Sequence, residues 1–181
     1  MIAKKIKVRF CAAAGFTSWL IEWDGASAFS HMANFLADGR ILDARVDDPC
    51  GNGCGVQIRP GNYLDSVKRW IDVEIDCTAD QARDWELALL SQEGKPYDKT
   101  GIVDFITGSY KDRNWRSESA WFCDELGIWA QEQAGICPRL TAPTFKLTPG
   151  AACLIDIALG GRIVASKGFI RRSSGVLSPT G

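Results

Sequence analysis

Ser30-His31-Met32-Ala33-Asn34-Phe35-Leu36-Ala37, Asp38-Gly39 and Arg40-Ile41-Leu42-Asp43-Ala44-Arg45-Val46 form two half-apolar runs divided by an Asp-Gly pair. Asp-Gly between alternating hydrophobic runs is the strongest short-range signal for a β-hairpin, because both residues tolerate the positive φ of a tight turn. A two-residue turn at Asp38-Gly39 pairs Ala37 with Arg40, which sets His31 opposite Val46 and Asn34 opposite Asp43. His31 and Asp43 are then offset by an odd number of residues, and they meet only if the hairpin twists or its register slips. The count leaves their contact open.

Working outward, the same alternation continues on both sides. Lys5 to Cys11 reads as a strand, and Phe16 to Trp23 as a short helix or turn that serves packing. Gly55-Val56-Gln57-Ile58-Arg59-Pro60 alternates and is closed by Pro60-Gly61. Tyr63 to Trp70 reads as a loop with a short helix. Ile71 to Cys77 alternates apolar with acidic residues, which predicts a half-exposed strand. Thr78-Ala79-Asp80-Gln81 is a capping box that opens a helix through Trp85, Leu89 and Leu90 towards Gly94. Gly94-Lys95-Pro96-Tyr97-Asp98 breaks that helix, and Thr100 to Thr107 reads as another short one. Pro138, Pro143 and Pro149 punctuate a loop, and Ala152 to Ile157 is a last strand or short helix. Residues 166–181 read as a flexible tail, with Ile163 and Val164 able to pair at a sheet edge. Strands followed by helices make an α+β arrangement, expected as a single domain over residues 1–181.

Composition narrows the function. A net charge of −1 provides no field for nucleic acid, and no basic aromatic module stands out. No apolar run is long enough to span a membrane, and the lysine-rich start alternates instead of forming a signal peptide core, so a soluble cytoplasmic protein is expected. Seven cysteines form an odd, scattered set in a chain of 181 residues, which suits a reducing compartment. Only Cys50 and Cys54 are close in sequence, and they supply at most two of the four ligands a structural zinc needs, so no metal and no cofactor is expected.

Trp121-Phe122-Cys123-Asp124-Glu125-Leu126 places a thiol at the start of an amphipathic helix, with N-cap oxygens offered by Ser117, Glu118 and Ser119 and a closing Gly135. Unpaired N–H groups at a helix start stabilise a thiolate, the form that attacks carbonyls. The plain alternative is a small core residue. A cysteine nucleophile needs an imidazole, and the chain has one histidine, His31. Asp43 and Asp24 both compete to orient it.

Taken together, the Ser30–Leu36 and Asp38–Ala44 hairpin, the Gly94-Lys95-Pro96-Tyr97-Asp98 segment and the Trp121–Leu126 stretch resemble the circularly permuted branch of the NlpC-type papain-like cysteine hydrolase superfamily, the YiiX-like proteins, over residues 16–150. In the unpermuted family the cysteine helix precedes the histidine strand; here the order is reversed. The resemblance implies an antiparallel sheet or half-barrel packed against helices, one of which carries the cysteine at its N-terminal end. It implies Cys123 as nucleophile, His31 as general base, Asp43 as the residue orienting His31, and Tyr97 beside the nucleophile at the oxyanion or substrate. The backbone N–H of Cys123 would complete the oxyanion hole.

The implied activity is that of a cysteine peptidase or amidase, cleaving an amide bond in a peptide or other acylated amine through an acyl-enzyme. A cell-wall peptide is one such substrate; without an export signal it would be met in the cytoplasm or through a phage lysis or tail system. An acyltransferase using the same residues, as in lecithin:retinol acyltransferase-like proteins, and an idle peptide-binding or structural domain are the alternatives. Two positions depart from the family pattern: Asp124 stands where serine is frequent, and Asp43 where the longer glutamate is common.

Overall fold

The computed structural model describes residues 3–12, 28–47, 50–51, 53–99, 118–139, 147–171 and 177–179. The expected segments Phe16 to Trp23 and Thr100 to Thr107, together with Asp24, Ser117 and Pro143, lie outside them.

Strands β1 (Ala3–Ala12), β2 (His31–Phe35), β3 (Ile41–Arg45), β4 (Gly55–Arg59), β5 (Arg69–Thr78) and β6 (Arg162–Lys167) form one antiparallel sheet in the order β4-β3-β2-β1-β5-β6. Helices α1 (Ala79–Leu90), α2 (Cys123–Gln133) and α3 (Pro149–Ala158) join it, and β7 (Phe169–Arg171) pairs with β8 (Leu177–Pro179) in a small second sheet. The α+β expectation is met. Part of the segment expected as a tail is ordered into strands: Ser166 and Lys167 pair with β5, and Ile163 and Val164 belong to this edge strand. The segment left between strand and helix is α3, capped by Thr148 with Pro149 at its first position. Among the described residues, no helix is long and apolar enough to cross a membrane.

Alternation sorts the side chains onto two faces. Ile6, Val8 and Phe10 of β1, with Met32, Leu42, Val56, Val73 and Ile75, are buried in the same core as Trp85 and Leu89 of α1 and Leu126 of α2. On the opposite face Cys11, Ala33, Phe35 and Ile41 are buried together with Leu64, and Tyr63, Val67 and Trp70 pack against them from the 60–70 segment. All five residues of β2 are therefore buried. The reading of β5 as half-exposed holds at Glu74 and Asp76, which are partly and fully exposed, and fails at Asp72, which under the same cover is 4% exposed and bound by Arg9 Nε at 2.6 Å. A carboxylate is tolerated there because a guanidinium is buried with it.

The capping box forms as read: Gln81 N–H donates to Thr78 Oγ1 at 3.1 Å, and Thr78 N–H donates to Gln81 Oε1 at 3.0 Å. The start of α2 differs from the expectation. Its N-cap is Phe122, not Ser119, and Glu125 Oε2 accepts from Phe122 N–H at 3.3 Å. Cys123 is thus the first helical residue. Residues 123–131 are all buried, so packing holds this helix more than its modest propensity does. One turn on, a Cβ at Gly127 would lie 2.4 Å from Met32 Cε, so the glycine lets α2 sit close against β2.

The hairpin register is one residue off the simple count. Gly39 N–H donates to Leu36 O at 3.0 Å and Leu36 N–H to Arg40 O at 2.8 Å, while Asp38 Oδ1 accepts from Arg40 N–H at 2.9 Å. The loop is Ala37-Asp38-Gly39, a three-residue turn that ends on a glycine at φ 85°. Asn34 consequently pairs with Leu42 and Phe35 with Ile41. Continued along the strands, this register sets Ala33 opposite Asp43 and turns Asp43 and His31 to the same face.

The Gly94–Tyr97 segment docks on the free edge of β4: Val56 N–H donates to Lys95 O at 2.8 Å and Gly94 N–H to Val56 O at 2.8 Å. Gly55 permits the approach, since a Cβ there would lie 2.3 Å from Lys95 O at a φ of +89°. Gly55→Ala is expected to destabilise the fold by about 2 kcal/mol or more, read as a lowered urea midpoint, because strained φ and a backbone clash coincide.

Candidate active site

Tyr97 reaches the site through the same docked segment. Trp121 N–H donates to Pro96 O at 3.1 Å and Asp98 N–H to Trp121 O at 3.1 Å, so Tyr97 bridges to Trp121, two residues before Cys123. Its ring meets Phe122 edge-on, centroids 5.2 Å apart. Burial first, then the negative charges of Asp124 and Glu125, push its hydroxyl well above the ordinary tyrosine range, and a Cys123 thiolate would push it further. It therefore stays protonated and able to donate.

His31 opens β2 and is 5% exposed. Its Nε2 lies 2.6 Å from Asp43 Oδ2, so the pair the sequence left open is joined. Asp43 is fully buried and holds more than the histidine. Arg59 Nε donates to its Oδ1 at 2.9 Å, and the hydroxyl of Tyr63 donates to its Oδ2 while lying 3.4 Å from His31 Nε2. Burial lowers the affinity of His31 for a second proton; Asp43 opposes this, and Arg45 adds to it. The imidazole is neutral at pH 7. With a carboxylate at Nε2, the proton sits on Nε2 and Nδ1 is the basic nitrogen.

Cys123 is 2% exposed at the first position of α2. The backbone N–H of Met32, the residue after His31, donates to its sulfur and favours the thiolate. That effect loses. Burial first, then the charge of Asp124, push the thiol well above its ordinary range, and the thiol donates to Asp124 Oδ1 at 3.5 Å. The expectation that a helix start would give a resting thiolate is corrected: desolvation and an adjacent acid outweigh the N-terminal backbone groups.

The structure thus brings His31 to Asp43, and Tyr97 and Met32 to Cys123. Among the described residues no hydrogen bond joins Cys123 directly to His31; the thiol is turned to Asp124. Arg59 and Tyr63 were not singled out from the sequence. Alternation did carry a signal for Arg59, which pairs with Ile41 and so shares a face with Asp43, whereas nothing local in the 60–70 loop points Tyr63 at a carboxylate. A cavity of about 560 Å³ near Lys4, Phe35 and Trp85 contains none of these residues. None of the seven cysteines is in a disulfide; Cys54 is exposed and Cys50 partly so.

No protein-family model matches the sequence, and none of the curated proteins does. Among solved structures the chain is similar to the metalloprotein yiiX from Escherichia coli O157:H7, DUF1105, with a TM-score of 0.52 and 14% identity. The likeness covers 72% of this chain and 66% of that one, so the chain spans less than two thirds of its neighbour's length. At this identity the two share a fold.

Proposed function

We propose that this chain is a permuted papain-like cysteine hydrolase that cleaves an amide bond, with Cys123 as nucleophile, His31 as base and Asp43 orienting His31. The observation that carries the reading is the 2.6 Å contact between His31 Nε2 and Asp43, on a strand whose next N–H donates to the Cys123 sulfur. Arrangements of this kind are recognised by geometry and role, whatever their order in the chain.

The resting pair is neutral. Attack therefore begins with the thiol leaving Asp124 and passing its proton to Nδ1 of His31 as the sulfur–carbon bond forms. Negative charge on the carbonyl oxygen is met by the N–H of Cys123, which as the first helical residue has no acceptor within the helix, and by the protonated Tyr97 hydroxyl. Collapse breaks the carbon–nitrogen bond, the amine leaves with the proton from His31, and water, deprotonated by His31, releases the acid.

The metal in the structural neighbour's name finds no matching donor set here. Among the described residues no group of three or more His, Cys, Asp or Glu side chains could hold a metal ion, and the Asp43 carboxylate already meets His31, Tyr63 and a guanidinium.

A second reading, an idle peptide-binding domain on the same scaffold, is favoured by the thiol's turn toward Asp124. Trapping separates the two. With p-nitrophenyl acetate, peptide mass spectrometry is expected to find the acetyl group on Cys123, formed at least about 100-fold more slowly in His31→Ala, the low end for loss of a general base. Acylation spread over the other thiols, or indifferent to His31, would sink the hydrolase reading and leave the binding domain.

A further inference from the structure

We infer that Arg59 and Tyr63 are positioning residues: Arg59 holds Asp43 in the one placement that fixes the tautomer of His31, and Tyr63 tunes the strength of the bond between His31 and Asp43. The inference rests on the hydrolase reading only for its meaning, not for its geometry.

Asp43 has no solvent contact, so its orientation depends on its neighbours alone. Three donors from three places converge on its two oxygens. Arg59 at the end of β4 takes Oδ1; His31 at the start of β2 and Tyr63 in the following loop share Oδ2. Arg59 is itself tied down. Its side chain is fully buried, and its second nitrogen donates to Gly53 O at 3.1 Å while Nε binds the carboxylate. A guanidinium fork does both at once in a fixed plane; an ammonium is a point charge on a flexible stem. A carboxylate held this way accepts from Nε2–H and keeps Nδ1 as the basic nitrogen, the tautomer that a general base opposite a thiol requires.

Tyr63 contributes differently. Its hydroxyl hydrogen goes to the same oxygen that His31 uses, so it limits how strongly His31 binds Asp43 while completing the shell around it. Removing Arg59 frees the carboxylate to turn. Removing the Tyr63 hydroxyl leaves Oδ2 to His31 alone.

The chain's one histidine makes the test unambiguous. Nitrogen-15 NMR of the imidazole at neutral pH is expected to show protonated Nε2 and unprotonated Nδ1 in the parent protein. In Arg59→Gln and in Arg59→Lys the separation between the two signals is expected to fall by at least half, the lysine failing to rescue. Tyr63→Phe, a small change at a partly exposed ring, is expected to keep the tautomer and move the Nε2 proton downfield. Unchanged nitrogen signals in folded Arg59 variants, or a parent protein with the proton on Nδ1, would overturn the inference. Should both Arg59 variants fail to fold, an unmoved Nε2 proton in Tyr63→Phe overturns it. These readouts need no substrate. If the tautomer responds as expected while Cys123 acylation ignores His31, the hydrolase reading fails and the positioning network stands.

Discussion

Asp43→Ala is expected to cost about 3–5 kcal/mol of stability, the range for breaking a buried ion pair by deleting one partner. The size follows from what is left behind. Arg59 has a fully buried side chain and would keep its charge with the carboxylate gone. Tyr63 loses the acceptor for its hydroxyl, and His31 loses its partner at Nε2. A surface aspartate such as Asp38, half exposed beside Arg40, is screened by solvent, and its loss is expected to cost far less. Urea unfolding followed by tryptophan fluorescence measures the difference. The double variant Asp43→Leu with Arg59→Met removes both charges and fills similar volume, so it is expected to lose much less than the two single changes added together. Additive losses would show that the two side chains act separately, and would remove the energetic basis for treating Asp43 as held by Arg59.

That network shows where the sequence was legible and where it was not. Strand periodicity placed β1, β4 and β5 because apolar residues at every second position have a single stable solution, burial on one face. The capping box at Thr78 is written in adjacent residues and formed as read. The hairpin was also correctly placed, yet its register was off by one, because Asp38 binds the Arg40 N–H and Gly39 takes the positive φ, a choice between loop lengths that Asp-Gly alone does not make. One residue of register decides which face Asp43 occupies. The Cys123 helix was located, but not its electrostatics. Thiol affinity for the proton depends on burial, which is set by packing against β2, and on how Asp124 turns, and neither is local information. Tyr63 was invisible for the same reason: it meets Asp43 through the fold, 20 positions away in the chain.

Under the proposed chemistry, hydrolysis of a peptide amide is expected to rise with pH on a limb below the ordinary histidine value of 6.5 and to stay level beyond it, since the two groups shift in opposite directions. Burial lowers His31, so the base form is already complete near neutrality. Burial and Asp124 raise Cys123 well above 9.0, so the thiol keeps its proton across the same range and no second limb cuts the plateau there. A preformed thiolate–imidazolium pair behaves otherwise: its rising limb follows ionisation of an acidic thiol, and the rate falls as the imidazolium is lost. Asp124→Asn tests which applies. Removing the acid takes away the charge that destabilises the thiolate, so the Cys123 pKa falls, by about tenfold in thiolate fraction for each 1.4 kcal/mol of repulsion relieved. Acylation at pH 7 is then expected to accelerate. The same substitution leaves the limb belonging to His31 in place, because Asp124 is not among the principal groups that set it. A slower reaction in Asp124→Asn, with that limb lost, would instead make Asp124 the group that takes the thiol proton, a role its 3.5 Å contact with the sulfur allows. His31 would then be left with structure alone.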